Sequence, residues 1–133
     1  MHIKRLQHVS IGIEAGREDE ARRFYGEALG LREKPRPMGL EARALIWYDI
    51  GEDEHEIHLL RTDPAGLEPP RAADHLCIEV NDIAAMRAHL NDKDVPIKET
   101  SVIDNRPRFF VADPFGNSIE LVQVTGRFTP VDE

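Results

Sequence analysis

Alternation of apolar and polar side chains marks the first ordered stretch of the chain. In residues 5–13, Val9, Ile11 and Ile13 alternate with His8, Ser10 and Gly12, the period-two pattern of a half-buried strand. The spacing then changes. From Arg17 to Leu29 the apolar residues Ala21, Phe24, Tyr25 and Leu29 recur at helical intervals, with Asp19 and Glu20 in the first turn and Gly30 as a stop. Three extended segments follow: a short strand at Leu31–Lys34, a longer one at Arg43–Ile50 and a third at Glu56–Arg61, separated by Pro35, Pro37 and Gly39 and by the acidic turn Gly51–Glu54.

After a stretch broken by Pro64, Gly66, Pro69 and Pro70, the order begins again. Leu76, Ile78 and Val80 alternate with His75, Cys77 and Glu79. Asp82 is placed to cap a helix running from Ile83 to about Asn91, with Ile83, Met86 and Leu90 on its inner face. Strands are expected at Pro96–Glu99, Arg108–Ala112 and Ser118–Val124. The last two are joined by Asp113-Pro-Phe-Gly-Asn117, a turn in which Pro114 fixes φ and Gly116 with Asn117 suits a positive-φ corner. The tail from Gly126 has no periodicity.

The halves superimpose as strand, helix, strand, strand, strand. His8 falls on His75, and Ile57-His58-Leu59-Leu60 falls on Ile119-Glu120-Leu121-Val122. The expected class is α+β: two βαβββ modules, about 3–61 and 74–125, joined by a linker at 62–73 in a single domain.

Composition narrows the partners. The 133 residues carry a formal charge of −8, which argues against nucleic acid or an anionic membrane as the partner, and 41% hydrophobic residues suffice for a core. The single cysteine, Cys77, permits no internal disulfide, and the amino-terminal residues lack the apolar run of a signal peptide. No window approaches a membrane span. A soluble cytoplasmic protein with a small-molecule substrate is the expectation.

The repeat also carries candidate chemistry. In each half the first and last strands present one ligand-type residue on the same face: His8 and His58, then His75 and Glu120. Three imidazoles and a carboxylate suit one divalent ion such as Zn²⁺, Mn²⁺, Fe²⁺, Co²⁺ or Ni²⁺. Such a centre attracts an anionic oxygen and lowers the pKa of a bound hydroxyl or water. Glu56, two residues before His58, points the same way and competes for its place. Glu120, a carboxylate mid-strand among aliphatic neighbours, needs a partner. Cys77 is expected as a small buried filler. Arg106 and Arg108 either grip a substrate carboxylate or phosphate or pair with acidic side chains of the chain itself. His2 and His89 stand apart from the site.

Four segments, His-Val-Ser-Ile at 8–11, Phe-Tyr-Gly-Glu-Ala-Leu-Gly-Leu at 24–31, His-Leu-Cys-Ile at 75–78 and Asp-Pro-Phe-Gly-Asn-Ser-Ile-Glu-Leu at 113–121, resemble the vicinal-oxygen-chelate superfamily over about residues 3–125. That group includes glyoxalase I, extradiol dioxygenases, fosfomycin-resistance thiol transferases, methylmalonyl-CoA epimerase and bleomycin-binding proteins. The resemblance implies paired βαβββ modules whose eight strands curl into an open cup around a metal, with His8, His58, His75 and Glu120 on the ligand positions. Glyoxalase I typically has a carboxylate where this chain has His58, and bleomycin-binding members lack the metal set. The resemblance further implies a substrate chelated through adjacent oxygens. The expected reaction is that of a lyase or isomerase moving a proton next to a carbonyl, with Glu120 as base. Ring cleavage by an extradiol dioxygenase and sequestration of a small toxic molecule are the alternatives. A homodimer is expected, since a second copy would cover the sheet edges that one cup leaves.

Overall fold

The computed structural model describes residues 1–37, 45–67 and 73–131. Gly39, Arg43 and the middle of the expected linker lie outside them. The chain divides into two compact units, Met1–Glu68 and Pro69–Glu133, with the boundary inside the segment read as a linker. Among the described residues no helix is long and apolar enough to cross a membrane.

The first unit holds a four-stranded sheet in the order β1-β4-β3-β2. Its strands are β1 (His8–Glu14), β2 (Arg32–Lys34), β3 (Leu45–Asp49) and β4 (Glu56–Thr62). β1 runs parallel to β4, while β3 is antiparallel to both its neighbours. The apolar members of the alternation face one side: Ile11, Ile13, Ile46, Tyr48, Ile57 and Leu59 are all buried. The helical segment between β1 and β2 contributes Ala21, Phe24, Tyr25, Ala28 and Leu29 to the same core, and the Tyr25 and Tyr48 rings stand 6.1 Å apart.

That segment is not the regular α-helix its spacing predicts. Only α1 (Glu18–Ala21) is α-helical; Arg22–Ala28 winds as a π-helix. Leu29 N–H reaches back five residues to the Phe24 carbonyl at 2.8 Å. Phe24 and Tyr25 still both point inward, 6% and 0% exposed, as their spacing predicts. Gly26 has no Cβ where one would lie 3.5 Å from the Tyr48 hydroxyl oxygen.

The second unit repeats the scheme. β5 (His75–Glu79), β6 (Arg108–Ala112) and β7 (Ser118–Val122) form a sheet in the order β5-β7-β6, again with the first strand parallel to the last and the middle one antiparallel. The strand expected at Pro96–Glu99 reduces to one bridge, Lys98 with Phe110, closed by two hydrogen bonds of 2.8 and 2.9 Å. Pro96 has no N–H to extend it. Helix α2 (Ile83–Asp92) begins as predicted, with the Asp82 carboxylate accepting from Ala85 N–H at 3.0 Å. Ile78, Leu90, Phe109, Val111, Ile119 and Leu121 form this unit's core.

The β6–β7 turn is built on Asp113. Its carboxylate accepts from Phe115 N–H at 2.9 Å, from Asn117 N–H at 2.8 Å and from the Asn117 side-chain amide at 2.8 Å. Gly116 alone takes the positive φ there, at 87°. The class is therefore α+β with two βαβββ-type modules, seven strands and one bridge among the described residues.

Candidate functional site

Strand register places the four candidate ligands. In the first unit His8 pairs with Glu56 and Ser10 with His58. In the second His75 pairs with Ser118 and Cys77 with Glu120. Both units thus hold one ligand-type residue at the start of the first strand and another two residues further along the last. Side chains at such positions share a face, the one opposite the apolar core.

In the first unit the face is an aromatic stack bordered by charge. The His58 ring lies between Trp47, at 3.7 Å and 9° from parallel, and His8, at 4.1 Å and 21°. The His58 Nε2–H donates to Glu56 Oε1 at 2.8 Å. Lys34 Nζ donates to the other Glu56 oxygen at 2.6 Å and lies 3.1 Å from Asp49, which also pairs with Arg32 at 2.9 Å. Burial of Glu56 opposes its ionisation, but the bonds from Lys34, His58 and Gln7 outweigh it and hold the carboxyl down at about 2. Glu56 shares the face with His58, as its spacing predicted, and is engaged by Lys34 and His58.

In the second unit Glu120 is 9% exposed. Arg108 Nη1 donates to Glu120 Oε1 at 2.5 Å, and Arg108 Nη2 donates to the Ser101 carbonyl at 3.1 Å and to Ser101 Oγ at 3.0 Å. Burial pushes Glu120 toward protonation; the Cys77 thiol and Arg108 more than reverse this, and its pKa lies below the ordinary carboxylate value. Loss of solvation and the nearby Glu120 carboxylate push the Cys77 thiol up to about 12. Cys77 is exposed, which corrects the expectation of a buried filler: its phase places it on the polar face beside Glu120.

Arg108 therefore grips an acid of its own chain. Arg106 donates to the carbonyls of Asn105 and Gly126, and its guanidinium lies 5.7 Å from the Phe128 ring centre. The aperiodic tail is stitched to this loop by Asn105 Nδ2, which donates to the Arg127 carbonyl at 2.6 Å. His89 is exposed on α2.

The imidazoles share a feature that spacing does not reveal. His8 Nδ1–H donates to Gln7 Oε1 at 2.6 Å, with the Gln7 amide oriented by its own bond to the Glu54 carbonyl at 2.8 Å. His75 Nδ1–H donates to the Ala73 carbonyl at 3.0 Å. His58 is fixed by Glu56. Each acceptor is an oxygen, so in each neutral ring the opposite nitrogen carries the lone pair. Oxygen acceptors orient metal-binding histidines in the same way. Glu56 was noticed through its two-residue spacing from His58. Gln7 gives no such signal, since neighbours in a strand point to opposite faces.

Three imidazoles and a carboxylate are ligand types that suit a divalent cation. Within each unit the side chains are otherwise engaged. His8 and His58 are stacked, and lone pairs in nearly parallel planes do not meet on one ion. Glu120 is paired with Arg108. Among the described residues no three His, Cys, Asp or Glu side chains are gathered around a common point.

Comparison with solved structures places this geometry among known proteins. The chain is 31% identical to a Bacillus anthracis protein described as a glyoxalase family member, with a TM-score of 0.83 over 93% of this chain and 98% of that one. It is 26% identical to the trypanothione-dependent glyoxalase I of Leishmania major, with a TM-score of 0.66 over 91% and 87%. TnmS3, an antibiotic-binding protein from Streptomyces sp. CB03234, shares the fold at 22% identity and a TM-score of 0.73 over 93% and 98%. No curated protein matches the chain. The sequence profile of one family matches residues 5–121, spanning both repeated modules and all four candidate ligands, and the chain belongs to that family, the Glyoxalase/Bleomycin resistance protein/Dioxygenase superfamily.

Proposed function

We propose that the chain is a metal-dependent lyase or isomerase that binds a small substrate through adjacent oxygens and moves a proton at a carbon next to a carbonyl. The observation that carries this reading is the state of the three imidazoles. Each has one ring nitrogen hydrogen-bonded to an oxygen, an arrangement in which a neutral ring presents its lone pair on the other nitrogen. The repeated offset, with His58 two residues beyond the partner of His8 and Glu120 two beyond the partner of His75, supports it, as does the likeness to a glyoxalase I at 26% identity. His8, His58, His75 and Glu120 would hold one divalent cation. When bound, the cation supplies a Lewis acid that favours an enolate or alkoxide oxygen.

The chain's own residues account for the rest. Glu120, its pKa lowered, stands ionised at neutral pH and can accept a proton. Glu56, Gln7 and the Ala73 carbonyl hold the rings in orientation. A homodimer, a single domain and a cytoplasmic location belong to the same proposal.

The test is metal content of the purified protein, together with solvent-deuterium exchange at the carbon beside the carbonyl in a panel of 2-hydroxyketones and 2-oxo acids. Glu120→Gln is expected to cut metal occupancy or exchange by at least about tenfold, while His89→Ala changes neither. Normal occupancy and exchange in Glu120→Gln would defeat the assignment. Iron content with oxygen uptake on catechols would move it to ring cleavage. A second reading, a protein that sequesters a small molecule, draws on the Arg108–Glu120 pair, which satisfies the acid without a metal. Ligand affinity unchanged by a chelator would favour that reading.

A further inference from the structure

Arg106 and Arg108 stand two residues apart, and one of them has an acid. Arg108 is taken up by Glu120 and Ser101. The bonds of Arg106 go to two neutral acceptors, the carbonyls of Asn105 and Gly126, and its guanidinium lies over the Phe128 ring. Among the described residues it makes no ion pair, in a chain of formal charge −8. Gly126 and Phe128 belong to the segment that leaves β7 and runs beside the loop before β6. The ladder between those strands continues there on one side only. Gln123 N–H donates to the Pro107 carbonyl at 3.0 Å and Thr125 N–H to the Asn105 carbonyl at 3.1 Å, while Pro107 has no N–H to return a bond. Beyond Thr125 side chains replace the backbone as fastenings. Asn105 Nδ2 holds the Arg127 carbonyl at 2.6 Å, Arg106 holds the Gly126 carbonyl, and the Thr129 hydroxyl donates to Asp104 Oδ2 at 2.9 Å. Burial adds little to them: Phe128 is 57% and Val131 88% exposed, whereas Val122, which ends β7, is 8% exposed. A segment with exposed hydrogen bonds and few buried apolar contacts opens at low cost.

We propose that Gly126–Val131 is a latch across Arg106, and that Arg106 is the receptor for a small anion, a carboxylate or a phosphate, which opens the latch by displacing the Gly126 carbonyl. A guanidinium bond to an anionic oxygen is roughly twice as strong as one to a neutral carbonyl, and either anion presents two oxygens to the arginine fork at once. Losing the Gly126 bond removes one of the three side-chain fastenings, so occupancy of Arg106 and opening of the tail are linked. The receptor and its latch lie wholly within the second unit and share no residue with the proposed ligand set.

Tryptic cleavage after Arg127 reads the latch, because the carbonyl that trypsin attacks is the one Asn105 holds. The experiment follows release of the peptide beginning at Phe128 by mass spectrometry, in the full chain, as inorganic phosphate or succinate replaces sodium chloride at constant ionic strength. Cleavage of a reference peptide in the same buffers corrects for effects on trypsin itself. Wild type is expected to release the peptide at least about threefold faster in phosphate or succinate than in chloride, and the response should saturate. Arg106→Gln should release it faster than wild type in chloride and respond to neither anion. Asn105→Gly, which keeps the positive φ of 59° without the side chain, should also release it faster in chloride and still respond. A response to one anion and not the other keeps the receptor and names its ligand class. Release in wild type that neither anion accelerates, or an equal acceleration in Arg106→Gln, overturns the receptor. Arg106→Gln releasing no faster than wild type in chloride overturns the latch. If Arg106→Gln does not fold, Arg106→Lys takes its place. It keeps the charge without the fork, so its response should need more anion to reach half-saturation, and an unshifted midpoint overturns the receptor.

Discussion

Replacing Glu56 by Gln tests the polar face of the first unit most directly. The carboxylate is 7% exposed, bonded to Lys34 at 2.6 Å and to His58 at 2.8 Å. Lowering this carboxyl from its ordinary 4.5 to about 2 corresponds to about 3 kcal/mol of preference for the ionised form in the folded state. Gln keeps one oxygen to accept from His58 Nε2–H, and Lys34 keeps Asp49 at 3.1 Å, so part of the interaction survives. The expected cost at pH 7 is about 2 kcal/mol. Because the folded pKa is the lower one, this stabilisation is fully present above the unfolded carboxyl's pKa of about 4.3 and is lost as pH falls through 2. Urea unfolding of metal-free wild type and Glu56→Gln, followed by fluorescence of Trp47, the chain's single tryptophan, measures the gap. It should be constant from pH 7 to about 5 and close progressively from there toward pH 2. A gap unchanged at pH 2.5, or absent at pH 7, would refute the reasoning.

Two further substitutions probe the scaffold. Asp113→Ala strands two backbone N–H groups and the Asn117 amide, and should cost about 2–3 kcal/mol in urea unfolding at pH 7; a loss below half a unit of that scale would mean water replaces the carboxylate. Asp82→Ala removes the α2 cap and should cost about 1 kcal/mol, read as a shift in the urea midpoint with an unchanged slope.

Much of this architecture is written locally, and the exceptions have physical causes. The alternation in β1 and β5 survives as alternating burial, whereas the inner strands β4 and β7 are buried on both faces over Glu56–Leu59 and Ile119–Val122; Asp82 marks its helix because capping is a matter of three residues. The π-turns were not legible. The spacing of Ala21, Phe24, Tyr25 and Leu29 marks the inner face but does not distinguish an α-turn from a π-turn. The strand at Pro96–Glu99 had β-forming neighbours but only one register position against Phe110. The positions of His8, His58, His75 and Glu120 followed from phase. The bonds that fix their rings and charges did not, since Arg108 reaches Glu120 across two rows and Gln7 folds back onto its neighbour. Cys77 was misjudged because its small side chain outweighed its phase, which already set it with His75 and Glu79 on the polar face.

The parallel joining of first strand to last within each unit separates what can drift in this chain from what cannot. His8 and His58 are held in step by the ladder between β1 and β4, whatever the length of the turns that intervene. Residues gained or lost in those turns leave the polar palette intact. One residue gained or lost inside β4 presents Ile57 or Leu59 where His58 stands and drives the imidazole into the core. Variation in such a protein is therefore free at the rims and nearly forbidden along two short runs of backbone, and new chemistry is reached most easily by exchanging alternate side chains on those runs.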